Sequence, residues 1–190
     1  MLEKYLAKFG FEEVQLKSIL QSFHKTKYLK NEGFFKNNES FYKIGIIESG
    51  LFKMIYKSNR KNLIKDFCIE GDTIGVYSSI LTNLPPRFDI VASEESQVWV
   101  SDFTELKKKF AGYLPFIILQ KNLAESLYIK KEKREADLIL LSAETRYKEF
   151  LNEKGNLSSR LKDHEIASYL GITNVGLSRI KARIFPQKNE

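Results

Sequence analysis

The chain has 190 residues and a formal net charge of +7, with 43% hydrophobic and 13% aromatic residues. That is enough apolar side chain for a packed core, which excludes wholesale disorder, and no run reaches the roughly 18 apolar residues a membrane-spanning helix needs. The N-terminal MLEKYLAKFGFEE lacks the long apolar stretch of a secretory signal, and the single cysteine, Cys68, excludes an internal disulfide and an all-cysteine metal site, so a reducing, cytoplasmic setting is expected.

The first twenty residues read as two helices. Leu2, Tyr5, Leu6 and Phe9 share one face; after Gly10, Val14, Leu16, Ile19 and Leu20 share another. From Phe23 the pattern becomes short strands. Lys27–Lys30 ends at the turn Asn31-Glu-Gly33, and Phe41–Ile47 ends at Glu48-Ser-Gly50. Leu51–Tyr56 is followed by a turn at Ser58-Asn59, and Leu63–Ile69 runs into Glu70-Gly-Asp72. Beyond a loop with Pro85 and Pro86 come Phe88–Ala92 and Gln97–Val100. Evenly spaced short strands separated by Gly, Asn and Asp predict an antiparallel barrel or sandwich.

From Phe103 the spacing is helical. Asp102 is a suitable N-cap for a short helix carrying Phe103, Leu106 and Phe110, which Gly112 ends. Pro115 suits the first turn of the next helix, which the pattern carries to about Leu138. Along it Ile117, Gln120, Ala124, Leu127, Lys131 and Arg134 recur at alternating three- and four-residue steps. Such a seam fits a helix lying on its own barrel or a dimerising coiled coil. Ser142 then caps a helix from Ala143 to about Glu153, with Tyr147, Phe150 and Leu151 on its apolar face and Gly155-Asn156 at its end.

The most informative segment is Leu161–Lys181. Ile166, Ala167 and Leu170 give one helix an apolar side, and Gly171 supplies a positive-φ turn. Ile172 fills the corner. Thr173 is placed to cap a second helix carrying Leu177, Ile180 and Ile184. This is a helix-turn-helix, whose second helix enters the DNA major groove. Between Glu165 and Glu190 there is no acidic residue, whereas Arg179, Lys181, Arg183 and Lys188 all lie there. Asn174 and Arg179 fall on the outward face, where Asn pairs with adenine and Arg with guanine. Thr173, Asn174, Val175, Ser178, Arg179, Lys181 and Arg183 are therefore the candidate DNA-contacting residues, with an ordinary helix hairpin bearing a solvated basic face as the structural alternative.

The segments Glu165–Thr173 with Leu177-Ser-Arg-Ile180, Phe41-Tyr-Lys-Ile44 with Glu48-Ser-Gly50, and Glu70-Gly-Asp72 with Gly75 resemble the bacterial Crp/Fnr transcription regulators. The match in element order covers about residues 10 to 185. The resemblance implies an α+β chain: an N-terminal antiparallel β-roll of cyclic-nucleotide-binding type (1–112), a long dimerisation helix (113–138) and a C-terminal winged helix-turn-helix (139–190). It implies a homodimer on double-stranded DNA, with Ile117, Gln120, Ala124, Leu127 and Lys131 in the dimer helix and RNA polymerase a candidate partner. The family's recognition-helix start falls on Thr173, Asn174 and Val175, its later base-reading arginine on Arg179, and its phosphate-contacting position in the first helix on His164. Asn174 and Val175 replace the family's frequent Arg and Glu, which implies a different target half-site.

The implied ligand loop departs from the nucleotide-binding pattern. Gly75 is followed by Val76 and Tyr77, so the ribose-holding glutamate is missing. The phosphate-holding arginine falls on Pro86, with Arg87 one place late, and the base-contacting pair of the long helix becomes Lys131-Glu132. A buried phosphate needs its cation partner, so cyclic AMP is disfavoured. The remaining expectations are an unidentified small molecule in a pocket of Gly75, Val76, Tyr77, Ser78, Arg87 and Phe88, or a vestigial pocket that binds none. Lone Cys68 does not suffice for an iron–sulfur cluster, and His24 and His164 show no metal-ligand spacing. No nucleophile–base pair or phosphate-binding glycine loop points to an enzyme. The alternative of another class is a ligand-sensing β-roll that acts on protein partners, its helix-turn-helix no longer reading DNA. Any ligand response is expected to move the DNA-binding domains about the Leu138–Ser142 junction.

Overall fold

The computed structural model describes residues 1–35, 41–57 and 62–185, and the chain forms two compact units, Met1–Leu123 and Ala124–Glu190. The N-terminal unit begins with α1 (Leu2–Ala7) and α2 (Glu13–Leu20), followed by β1 (His24–Tyr28), β2 (Lys43–Ser49), β3 (Phe52–Tyr56), β4 (Leu63–Cys68) and β5 (Thr73–Gly75). Then come α3 (Tyr77–Thr82), β6 (Asp89–Ala92), β7 (Ser96–Asp102) and α4 (Phe103–Phe110). A long helix, α5 (Leu114–Leu140), contains the division between the units. The C-terminal unit adds α6 (Ala143–Lys154), a 3-10 turn at Gly155–Leu157, α7 (Asp163–Leu170) and α8 (Asn174–Ile184).

All strand pairs are antiparallel, in two sheets of order β1-β7-β2-β5 and β4-β3-β6. Strand β2 explains the first sheet's place in the fold. Residues Ile44 to Ile47 are all buried, because the strand is covered on both faces. Ile47 joins Tyr28, Phe34, Phe52, Met54, Val98 and Val100 in the interior of the roll. Ile44 and Ile46 point the other way, into a helical layer with Leu6, Ile19, Leu106 and Leu119. Gly45 has no room for a side chain: a Cβ there would lie 2.6 Å from Val98 Cγ1 and 3.0 Å from the Phe34 ring.

The helical layer is joined to α5 through rings. Phe103 lies 6.1 Å from Phe116, and Phe110 lies 5.9 Å from Phe116. Asp102 starts α4 as its sequence position predicts, accepting from the Thr104 and Glu105 amides at 2.8 and 3.1 Å. Within α5 the buried residues are Phe116, Leu119 and Leu123. The seam residues Ile117, Ala124, Leu127 and Lys131 are exposed and Gln120 is half-buried.

The outer strand β1 is covered by charge. Lys25 pairs with Glu48 and sits 5.2 Å over the Trp99 ring, whose Nε1 donates to Glu48 at 3.1 Å. The Lys25 ammonium holds the Glu48 carboxyl below the usual carboxylate range, helped by the Trp99 donor. Lys27 pairs with Glu95 at 2.8 Å.

Several sequence expectations change. The first strand is His24–Tyr28 rather than Lys27–Lys30, because Tyr28 turns into the core while Leu29 stays exposed. Val14, expected on the apolar face of α2, is 79% exposed; Ile19 alone in that helix is fully buried. Strand β5 and helix α3 were not foreseen. No strand occurs among the described residues of the C-terminal unit, so the wing expected there has no counterpart among them. The expected turn at Ser58-Asn59 lies outside the described residues. No described helix is long and apolar enough to cross a membrane.

Gly50 carries the tight turn between β2 and β3 at φ +106, and a Cβ there would lie 2.1 Å from Ser96 Oγ. Gly50→Ala combines backbone strain with that overlap and should lower unfolding stability by about 2–4 kcal/mol. A lower urea midpoint with an unchanged m value is the expected result.

Candidate nucleic-acid interface

The helix-turn-helix is assembled in the C-terminal unit from α7, a three-residue turn and α8. Ile166, Ala167 and Leu170 of α7 are buried, as are Leu177 and Ile180 of α8. Tyr147 and Phe150 of α6 are buried in the same unit. Gly171 takes φ +70, the left-handed position its place in the sequence predicts. Its amide donates to Ser168 O at 3.1 Å and the Ile172 amide to Ala167 O at 3.0 Å. Thr173 starts α8 with a side-chain cap, Oγ1 accepting from the Gly176 amide at 3.1 Å. At the start of α7 the Glu165 carboxylate accepts from the Lys162 amide at 3.1 Å.

Burial of Leu177 and Ile180 fixes which side of α8 is free. At about 100° per residue, Val175 and Ala182 lie opposite the buried pair, flanked by Ser178 and Arg179, with Asn174 and Arg183 at the margins. All six are exposed, as are Thr173 and, in the first turn of α7, His164. The structure thus brings Asn174, Val175, Ser178 and Arg179 onto one outward face. Lys181 is set apart from them: it is half-buried at the side of α8 and pairs with Asp163 of α7 at 2.5 Å. Arg183 is exposed but lies 3.5 Å from Glu144 of α6. Glu144 also binds Lys148, and this bond chiefly, with Arg183 adding to it, lowers its carboxyl pKa. Arg179 has no acidic partner among the described residues. Lys188 lies outside the described residues. The acid-free stretch read from the sequence is therefore partly neutralised by acids from two other helices.

No protein-family model and no curated protein matches the sequence. Solved structures do match in fold. A CooA variant from Carboxydothermus hydrogenoformans aligns with TM-score 0.73 and 18% identity, over 95% of this chain and 83% of that one. FixK2 from Bradyrhizobium japonicum aligns with TM-score 0.71 and 19% identity, over 87% and 85%. A protein from Eubacterium rectale described as a transcriptional regulator of the crp/fnr family aligns with TM-score 0.72 and 15% identity, over 92% and 83%. The chain has the Crp/Fnr fold.

Within this Crp/Fnr fold, the ligand-loop residues have different surroundings. Gly75 ends β5, and a Cβ there would lie 3.0 Å from Lys43 O. Val76, at the position of the family's glutamate, is buried in the interior of the roll. Tyr77 turns instead to Phe103, ring to ring at 5.9 Å, where burial raises its phenol pKa. Ser78 is exposed in the first turn of α3, and Arg87 is exposed. Phe88 packs edge-on against Tyr56 at 5.8 Å with Lys65 4.8 Å over its ring. An apolar crevice of about 10 Å³ lies in this unit between α1, α2, β2, α4 and α5, lined by Tyr5, Ile19, Ile46, Phe103 and Leu119. That is room for about one water molecule.

Two residues hold the turn in a way the sequence does not announce, Arg134 of α5 and Arg146 of α6. Arg134, read as the last seam position, instead donates to Tyr169 O, and Arg146 Nε donates to Leu170 O at 3.1 Å. For Arg146 the only signal in the sequence is its charge, and the spacing that marks Arg134 points to a different role.

The Thr173 cap sets where α8 begins. Thr173→Ala should destabilise the C-terminal unit by about 1 kcal/mol in thermal unfolding, and Thr173→Ser should recover most of it.

Proposed function

We propose that the protein is a homodimeric, sequence-specific DNA-binding transcription regulator of the Crp/Fnr type, and not an enzyme. The observation that carries this reading is the outward face of α8. A capped helix presents Asn174, Val175, Ser178 and Arg179 together, and Arg179 is held by no acid among the described residues. Arg179 is the residue for guanine, Asn174 for adenine, and Val175 for a thymine methyl group. Thr173, His164 and Arg183 serve phosphates around that face. Lys181, tied to Asp163, serves first to hold α8 on α7. Dimerisation runs along α5 through Ile117, Gln120, Ala124, Leu127 and Lys131, the stripe that the buried Phe116, Leu119 and Leu123 leave uncovered. Two copies would then meet a palindromic site with half-sites one helical turn apart. A cytoplasmic protein that contacts RNA polymerase is consistent with this role.

Footprinting on the protein's own upstream DNA tests the reading. Arg179→Ala should cost about 1–3 kcal/mol at one base pair and relax specificity there. A uniform loss over all sequences makes Arg179 a phosphate contact instead. Absence of any specific complex at low salt, together with nuclease-resistant capture of protein partners, favours the alternative in which the β-roll acts through proteins. Leu127→Glu should convert the dimer to monomer by sedimentation.

We infer further that any effector is not cyclic AMP. The Val76 side chain offers no acceptor for a ribose hydroxyl, and Arg87 stands one residue beyond the family's phosphate-binding position. A ligand present at 100 times its Kd raises stability by about 2.7 kcal/mol. Millimolar cyclic AMP should leave both the melting temperature and the DNA affinity unchanged.

A further inference from the structure

An α-helix ends with four backbone carbonyls that no amide within the helix can satisfy. In α7 these belong to Ala167, Ser168, Tyr169 and Leu170. The turn at Gly171 takes the first two: the Ile172 amide donates to Ala167 O and the Gly171 amide to Ser168 O. The other two receive guanidinium groups from different helices. Arg134 of α5 donates through Nη2 to Tyr169 O, and Arg146 of α6 through Nε to Leu170 O. Arg146 also donates through Nη1 to Leu141 O at 2.6 Å, just past the end of α5. One cation thus bridges the negative ends of two helices, where charge-assisted donors bind best.

Side chains reinforce the joint. The Arg134 guanidinium lies 4.1 Å from the Tyr169 ring centroid, and that ring packs 5.7 Å from Phe150. Lys133 of α5 binds Glu153 of α6 at 3.1 Å as well as Asp137 at 2.7 Å. Leu138 Cδ2 stands 3.4 Å from where a Gly171 Cβ would be. All of these residues lie in the Ala124–Glu190 unit.

We propose that Arg134 and Arg146 are positioning residues for DNA reading: they lock the helix-turn-helix to the distal half of α5, so that α8 and the seam residues Ala124, Leu127 and Lys131 move as one body. The consequence for DNA rests on the regulator reading above. The bend expected at Leu138–Ser142 is then closed, because Arg134 on one side of it and Arg146 on the other both hold the C-terminal carbonyls of α7. In a dimer joined along α5, the lock fixes the separation and rotation of the two recognition helices.

Two measurements on the full-length protein test this. The first uses no DNA. Hydrogen exchange at Leu138–Ser142 and Gly171–Thr173 is compared in the unaltered protein, Arg134→Met, Arg146→Met and Arg134→Lys. The lock predicts that these amides lose about tenfold protection in the Met variants, the rest of the unit being unchanged. Arg134→Lys, which keeps the cation over Tyr169, should lose less. Unchanged exchange in both Met variants overturns the lock, whether or not the protein reads DNA. If the Met variants do not fold, the Lys variant decides: protection equal to that of the unaltered protein at the turn counts against a role for the guanidinium.

The second measurement binds each protein to a single half-site and to palindromes of varied spacing. A positioning role predicts half-site affinity within about twofold of the unaltered protein, full-site affinity about tenfold weaker, and a broadened spacing preference. Equal losses on half-sites and full sites, at unchanged spacing preference, would make both arginines merely structural. Absence of any complex with the unaltered protein refutes DNA reading and leaves the lock to be decided by exchange.

Discussion

Gly171 holds φ +70 between α7 and α8, and the arrangement of the C-terminal unit follows from that backbone state. A side chain with a Cβ is strained there, so the position favours glycine. Because the chain reverses sharply, the Gly171 and Ile172 amides fold back on Ser168 and Ala167, and Thr173 is delivered where its hydroxyl can start α8. Because α8 starts there, Leu177 and Ile180 meet the side of α7 that carries Ile166 and Ala167. The face opposite this contact is all that remains for a partner. Its residues were chosen by what the turn leaves outside.

The N-terminal unit is governed by a different constraint, the covering of β2 on both faces. One face closes the roll and the other receives α1, α2, α4 and the first turns of α5. The rings of Phe103, Phe110 and Phe116 make that second layer continuous with the long helix. Tyr77, just after β5, is drawn into the same layer by Phe103. A side chain read as part of a ligand loop is thus spent on packing, and Val76 is spent on the roll interior. These commitments leave Ser78 and Arg87 as the exposed members of the six.

Much of this was legible in the sequence because it rests on local chemistry. Asp102, Ser142 and Thr173 were read as caps and act as caps, since capping needs only a short polar side chain at the right offset from the first turn. Most strands were read to within a few residues from turn residues and β-branched runs. Strand β5 was missed because three residues are too few to carry a detectable period, and α3 because six residues give little helical period and its first two, Tyr77 and Ser78, were assigned to a pocket. The charge of the helix-turn-helix was misjudged for a non-local reason. Lys181 and Arg183 find their acids 18 and 39 residues back, in Asp163 and Glu144, and no window along the chain brings those together. Arg134 was placed on a seam by its spacing, but a spacing rule cannot see the carbonyl of Tyr169 waiting 35 residues later.

The lysines of β1 have a consequence for how copies of the chain meet. This strand ends its sheet, with β7 on one side only. An uncovered strand edge is a template for adding another strand, and natural sheets suppress this with lysine. Lys25 and Lys27 put two lysines on this outermost strand, paired with Glu48 and Glu95. Growth into fibrous, edge-to-edge stacks is discouraged at this rim. In the proposed dimer, the uncovered apolar side chains of the long helix would then be the route to a closed assembly of finite size.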